Sequence, residues 1–198
     1  MLTNAAKNYA LDALLPADVS LHTAYSSTGA NEVTGGSPAY ARKAITFGAA
    51  SAGTKSATST PTLDVPTATT VRFVGLWGLG SPSQFLGMFA LGGSEKEYWV
   101  HTLGSPGGVI GCPSHGYSNG DQVVFYGGTP PTGLTEGTLY YVVGATTDLF
   151  GVSDSAGGAP IPLSGYGDQE CKVSKIVPET FGSQGTLQIS SASLAMSA

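Results

Sequence analysis

Hydrophobic and polar positions along this chain alternate mostly with a period of two, the spacing that sends successive side chains to opposite faces of a β-strand. Val19 to Ala24 sets Val19, Leu21 and Thr23 against Ser20, His22 and Ala24, which predicts a strand with one buried face. Tyr40 to Phe47 repeats the pattern. Ala41, Lys43, Ile45 and Phe47 form its expected core face, and Tyr40, Arg42, Ala44 and Thr46 face solvent or another subunit. Thr69 to Leu79 is apolar on both sides, with Val71, Phe73, Gly75 and Trp77 opposite Arg72, Val74, Leu76 and Gly78. That pattern predicts a central strand or one whose back is covered. Only the N-terminus departs from period two. There Asn4 is expected to cap a helix over residues 5–15, with Ala6, Tyr9, Ala10, Ala13 and Leu14 on one face and Pro16 after its end. Such a helix reads as a lid over an open end or edge of a β-structure, or alternatively as a docking element for a partner.

Between the first two strands lies Leu21 to Arg42, LHTAYSSTGANEVTGGSPAYAR, too polar and glycine-rich to be a strand throughout. Its Thr28-Gly29 and Gly35-Gly36-Ser37-Pro38 clusters are turn chemistry, so a long shaped loop is expected. Gly48 to Thr62 is rich in small residues and reads as an exposed edge strand and turn. Near Tyr98 the composition shifts. Gly120-Asp121 precedes a strand at Gln122 to Tyr126, Glu136-Gly137 one at Thr138 to Val143, and Thr146-Thr147-Asp148 one at Leu149 to Ser153. Four or five such strands predict a small antiparallel barrel or sandwich over residues 98–171. Residues 172–198 return to the small-residue character of the N-terminal part, with Leu187 and Ile189 inward on a strand at Gly185 to Ser190. The expected fold is therefore mainly β. It comprises a discontinuous β-sandwich base (1–97 and 172–198) with one short N-terminal helix, and a small inserted antiparallel β-barrel or sandwich domain (98–171).

Composition narrows the class. Of 198 residues only 11% are charged, well below the roughly 25% of an ordinary soluble surface, while 41% are hydrophobic, enough for a core. A turn-rich β protein with a neutral surface partly covered by other subunits fits both numbers. The net charge of -5 and the scattered lysines and arginines argue against nucleic acid as a partner. No apolar run is long enough to span a membrane, and the N-terminus lacks a signal-peptide cleavage pattern. Cys112 and Cys171 are too few for a disulfide framework, and free or buried thiols are expected, although whether they pair stays open.

Candidate chemistry is sparse. His22 reads as a hydrogen-bonded strand histidine, and Cys112 with His115 makes at most half a zinc site, with His101 standing apart. Ser114 and His115 are neighbours on an extended chain and point to opposite faces, so they cannot act as nucleophile and base. Asp64, Glu95, Glu97, Asp121, Asp148 and Asp154 lie mostly beside Gly, Ser or Thr in turns, where a carboxylate bonds its own backbone. Gly78-Leu79-Gly80 lacks the helix that a phosphate site needs. Of the aromatic residues Tyr98, Trp99, Tyr117, Phe125, Tyr126, Tyr140, Tyr141 and Phe150, core positions are expected for Phe125, Tyr141 and Phe150. The others could be core, or could form a carbohydrate-stacking or subunit-contact patch.

Several blocks carry a resemblance. LHTA at 21–24, GANEVTGGSPAYAR at 29–42, LDVPTATTV at 63–71, VGLW at 74–77 and ETFGSQGTLQIS at 179–190 resemble a family of tailed-bacteriophage virion proteins labelled tail fibre or minor tail proteins. SHGYSNGDQVVFYGG, LTEGTLYYVV and DLFGVSDSAGGAPI are similar to a β-module that recurs in phage structural proteins. The resemblance implies a non-enzymatic structural subunit of the virion, assembled in the host cytoplasm, with no cofactor and no metal. Its partners would be other virion proteins and copies of itself as a trimer or higher assembly, with a host-surface glycan as a further candidate ligand. Nucleic acid and membrane are not expected partners. A minor tail or tail-fibre position leads, with capsid decoration as the alternative and a polysaccharide-binding or polysaccharide-degrading virion protein behind both. The subunit-contact loop is expected at Asn31, Glu32, Ser37, Pro38 and Tyr40.

Overall fold

The computed structural model describes residues 2–80, 82–104 and 107–196. The fold is mainly β, with one short N-terminal helix and several antiparallel sheets. The first part of the chain forms α1 (Asn4–Ala13), β1 (Pro16–His22), β2 (Lys43–Ala44), β3 (Thr54–Ser56), β4 (Thr62–Val65), β5 (Thr69–Val71), β6 (Phe73–Gly78) and β7 (Gln84–Ala90). Then come β8 (Trp99–Thr102), β9 (Val109–Gly111), β10 (Gln122–Tyr126), β11 (Leu139–Val143), β12 (Leu149–Ser153) and β13 (Lys172–Ile176). The chain ends with β14 (Glu179–Phe181), β15 (Gly185–Gln188) and β16 (Ser193–Ala195). Two compact units result. One holds the chain up to Thr23, Thr28–Met88 and the part from Glu179 onward; the other holds Ala24–Ser27 and Phe89–Pro178.

The first unit is a β-sandwich built on a four-stranded sheet in the order β2-β1-β6-β7. Antiparallel pairing sets Ser20 opposite Gly75 and His22 opposite Phe73. Val19, Ser20, Leu21 and His22 are all buried, so β1 is covered on both faces and not on one as its alternation predicts. The reason is the long loop, which folds over the polar face. β6 lies between β1 and β7 and is buried almost throughout, as its two apolar faces predict.

The strand expected over 40–47 shortens to β2. Ile45 N–H still bonds the Ala17 carbonyl, but the chain then leaves β1, and Thr46 and Gly48 bond instead to Thr58 and Ser56. Passing from one sheet to a second ribbon is how a strand turns the corner of a sandwich. That ribbon runs through β3, β4 and β5, and the C-terminal segment retraces it, β14 on β5, β15 on β4 and β16 on β3. The 48–62 stretch is thus flanked on both sides and is not the expected exposed edge.

The helix also differs from expectation. Thr3, not Asn4, is the N-cap, its hydroxyl accepting from Ala6 N–H. The face of Ala6, Tyr9, Ala10, Ala13 and Leu14 is not the docking face: Tyr9 is 81% exposed and Leu11 is the buried residue of the helix. Polar bonds dock the helix instead. Asn8 Oδ1 accepts from Gly53 N–H, Asp12 Oδ1 accepts from Ala50 N–H, and the buried Lys55 ammonium donates to the carbonyls of Leu11 and Leu14, closing the C-terminal turn.

The second unit is a six-stranded antiparallel sheet in the order β13-β10-β11-β12-β9-β8. Reciprocal backbone bonds between Lys96 and Val173 join its two ends into a closed barrel. Closure removes the exposed edges that an open sheet would present. It also explains why this unit extends beyond 98–171: β13 pairs with β10 along its whole length. The barrel core contains Val100, Ile110, Val123, Phe125, Tyr140, Val142, Phe150, Val152 and Val173. Phe125 and Phe150 are core, as expected, but Tyr140 takes the inward position and Tyr141 the outward one, where its hydroxyl accepts from Gln122 Nε2. Cys112 and Cys171 are free, buried thiols.

Candidate functional site: a loop clamped over a buried polar chain

β1 supplies the foundation of the site. Period two places Ser20 and His22 on the same face, and the facing strand offers Gly75 between them. A Cβ at Gly75 would lie 2.5 Å from both His22 Nε2 and Ser20 Oγ, so only glycine leaves room for the pair. Trp77 Nε1 donates to Ser20 Oγ (2.7 Å), and Ser20 Oγ lies 2.7 Å from His22 Nε2. His22 Nδ1 lies 2.8 Å from the Ala30 carbonyl. A carbonyl only accepts, so Nδ1 carries the proton, Nε2 accepts from Ser20, and Ser20 accepts from Trp77. Every donor in this chain has an acceptor when the imidazole is neutral. Burial holds the His22 pKa below its ordinary value, outweighing the opposing pull of the Ala30 carbonyl.

Ser20 and His22 therefore have the spacing of a nucleophile and base but not the access: both are fully buried, beneath the loop. Their chemistry is structural. They fix the Ala30 carbonyl and so the start of the loop's return path, which continues with Thr23 N–H to the Asn31 carbonyl and Val33 N–H to the Leu21 carbonyl. Gly29, at φ +81°, packs so closely on Trp77 and Phe85 that a Cβ would fall within 2.8 Å of both rings.

A second layer lies above the first. Arg42 grips Glu32 with two parallel bonds, Nε to Oε1 (2.9 Å) and Nη2 to Oε2 (2.7 Å). Its guanidinium lies 3.4 Å from the Trp77 ring centroid, and Nη1 donates to Ser83 Oγ. The bond to Glu32 raises the Arg42 pKa further against partial burial. Tyr40 donates to Glu32 Oε1 and accepts from Leu21 N–H, and burial drives its phenol pKa well above the ordinary range. The far end of the loop is held by Gln184, which accepts from Ser37 N–H and donates to the Pro38 carbonyl, both at 2.8 Å.

The five expected contact residues therefore separate. Glu32 and Tyr40 are half-buried clamps, whereas Asn31, Ser37 and Pro38 are exposed along with the whole 34–39 tip. Arg42, Trp77, Gln184 and the Ser20–His22 pair are not among the expected site residues. A signal for the pair existed, since residues two apart on a strand share a face. Gln184 left none, because it arrives from more than 140 residues downstream.

Several of the remaining candidates are occupied locally, while His101 and Asp154 are exposed. His115 packs at a tilt against Tyr117 and edge-on against Phe150, and its Nδ1 accepts from Tyr117 N–H. Ser114 N–H bonds Asp148, Asp64 pairs with Lys43, Glu97 with Lys172 and Asp121 with Lys175. Among the described residues no three His, Cys, Asp or Glu side chains converge as metal ligands, and no helix is long and apolar enough to cross a membrane. Of the aromatic set, Trp99 is 46% exposed and covers Gly111, where a Cβ would meet the indole at 2.1 Å. Comparisons with protein-family models, with curated proteins and with solved structures return no match.

Proposed function

We propose that the chain is a non-enzymatic structural subunit of a tailed-bacteriophage virion, a minor tail or tail-fibre component that works by covering surface on its neighbours. The observation that carries this reading is the construction of the loop. Two hydrogen-bonded layers and the Gln184 clamp hold residues 28–42 in one shape, and what they present is the uncharged, exposed tip Thr34-Gly35-Gly36-Ser37-Pro38-Ala39. A pre-shaped tip loses little conformational freedom when a partner docks, which is how a modest interface gains affinity. The low overall charge points the same way, because neutral surface is inexpensive to desolvate against a neighbour. The particle itself comes from the resemblance of the blocks at 21–24, 29–42, 63–71, 74–77 and 179–190.

The test uses Thr34→Lys and Ala39→Lys together in a phage that encodes this chain. Both side chains are exposed and belong to neither layer. The doubly substituted protein should fold with unchanged thermal stability yet be depleted from purified particles. Normal incorporation would overturn the role of the loop.

A further inference from the structure

β7 is the outermost strand of the four-stranded sheet, and among the described residues it pairs with no strand beyond β6; only at its last residue, Ala90, is the backbone engaged elsewhere, by Gly93 N–H and the Tyr126 hydroxyl. The opposite edge, β2, is two residues long, and its Lys43 is engaged with Asp64. Short, charged edges of that kind resist pairing with another chain. β7 has neither protection. It runs seven residues, Gln84-Phe85-Leu86-Gly87-Met88-Phe89-Ala90, with no charge and no proline, and Phe85, Leu86, Gly87 and Phe89 are half-buried.

Its sequence also has a symmetry. Reading outward from Gly87, Leu86 mirrors Met88 and Phe85 mirrors Phe89. A two-fold interface requires one patch to be complementary to itself. Antiparallel pairing of β7 with β7 of a second copy, centred on Gly87, sets Phe85 opposite Phe89, Leu86 opposite Met88 and Gly87 opposite Gly87. Each of these is a favourable or neutral cross-strand pair. Around Gly87 the space is open, since a Cβ there would meet nothing within 4 Å.

We infer that two copies of this chain associate through the free edge of β7, joining their sheets into one eight-stranded sheet across a two-fold axis at Gly87. The inference does not depend on the virion reading, since it concerns the purified protein alone. It makes even-numbered assemblies the rule: an assembly of six is compatible with it and a simple trimer is not.

Two variants of the full chain test it. Gly87→Lys puts two ammonium groups face to face at the axis, while the open space leaves the subunit fold intact. Gly87→Cys puts two thiols on directly opposed residues, whose Cα atoms in an antiparallel pair lie about 4.5–5.5 Å apart, within disulfide range. By sedimentation at protein concentrations up to roughly 0.1 mM, wild type should have twice the chain mass and Gly87→Lys the single chain mass with an unchanged circular dichroism spectrum. Mild oxidation should convert most Gly87→Cys to a covalent dimer, whereas Gly182→Cys, at an exposed position away from β7, should stay monomeric. A monomeric or trimeric wild type, a dimer indifferent to Gly87→Lys, or a Gly87→Cys protein that forms no more covalent dimer than Gly182→Cys would each overturn the inference.

Discussion

Gly75→Ala offers the sharpest probe of the buried polar chain. The added methyl would sit 2.5 Å from Ser20 Oγ and from His22 Nε2, closer than any real Cβ contact, and both neighbours are locked in strands and fully buried. One of them must move. Displacing either breaks the Ser20–His22 bond and weakens the Trp77–Ser20 or His22–Ala30 bond that depends on it. Losing a buried hydrogen bond while leaving its groups without water costs about 1–3 kcal/mol per orphaned group, so roughly 2–4 kcal/mol is expected for the chain. For a protein of this size each kcal/mol moves Tm by about 2–4 °C, which puts the fall at roughly 5–15 °C. Gly182→Ala, where a Cβ meets nothing within 4 Å, is the control and should melt with wild type. The assay is thermal unfolding followed by circular dichroism and by Trp77 fluorescence. A Gly75→Ala protein that melts within a degree or so of wild type would refute the claim that this glycine makes room for the pair.

Other expectations follow from neighbouring features. The His22 pKa is depressed on folding from 6.5, so below pH 6.5 the unfolded chain takes up a proton that the folded chain resists. Stability should therefore fall as pH drops through 6.5, by at most about 1.4 kcal/mol per pH unit from this residue, until the folded pKa is reached. Urea titrations across that range should show a shallower dependence in His22→Gln, and an unchanged slope would contradict the neutral imidazole. Lys55→Met keeps the buried stem but removes the donor to Leu11 and Leu14, and should speed amide exchange in α1 selectively. Arg42→Lys loses the paired bonds to Glu32 and the planar stack on Trp77, and should alter Trp77 emission while costing about 1–3 kcal/mol. Burial raises the pKa of both Cys112 and Cys171, so neither should react with a thiol reagent until the protein is unfolded.

Local rules read much of this fold from the sequence and fail where partners come from far away. The strands at Gln122–Tyr126 and Leu149–Ser153 stand where the preceding turns put them, with Val123, Phe125, Phe150 and Val152 in the core, although both strands are buried at successive positions. Tyr140 and Tyr141 show the limit. Two adjacent aromatics leave the inward position ambiguous, and pairing with β10 and β12 decides it. The apolar residues of α1 suggest a docking face, but Asn8, Asp12 and Lys55 supply the attachment through backbone groups that have no sequence signature. In the loop, the glycines and Pro38 marked the turns correctly, but its rigidity depends on Arg42 meeting Glu32 and Trp77 and on Gln184 returning at the far end of the chain. The polar, glycine-rich loop thus rests on the most fully buried polar side chains of the first unit, Ser20 and His22.

Quantitative mass spectrometry of intact, density-purified particles would measure whether this chain is a virion subunit and in how many copies. Peptides of this chain should appear in every preparation, at a fixed ratio to the major capsid protein that corresponds to tens of copies or fewer per particle. Hundreds of copies would move the subunit from the tail to the head surface. Its absence from particles would contradict the structural role altogether.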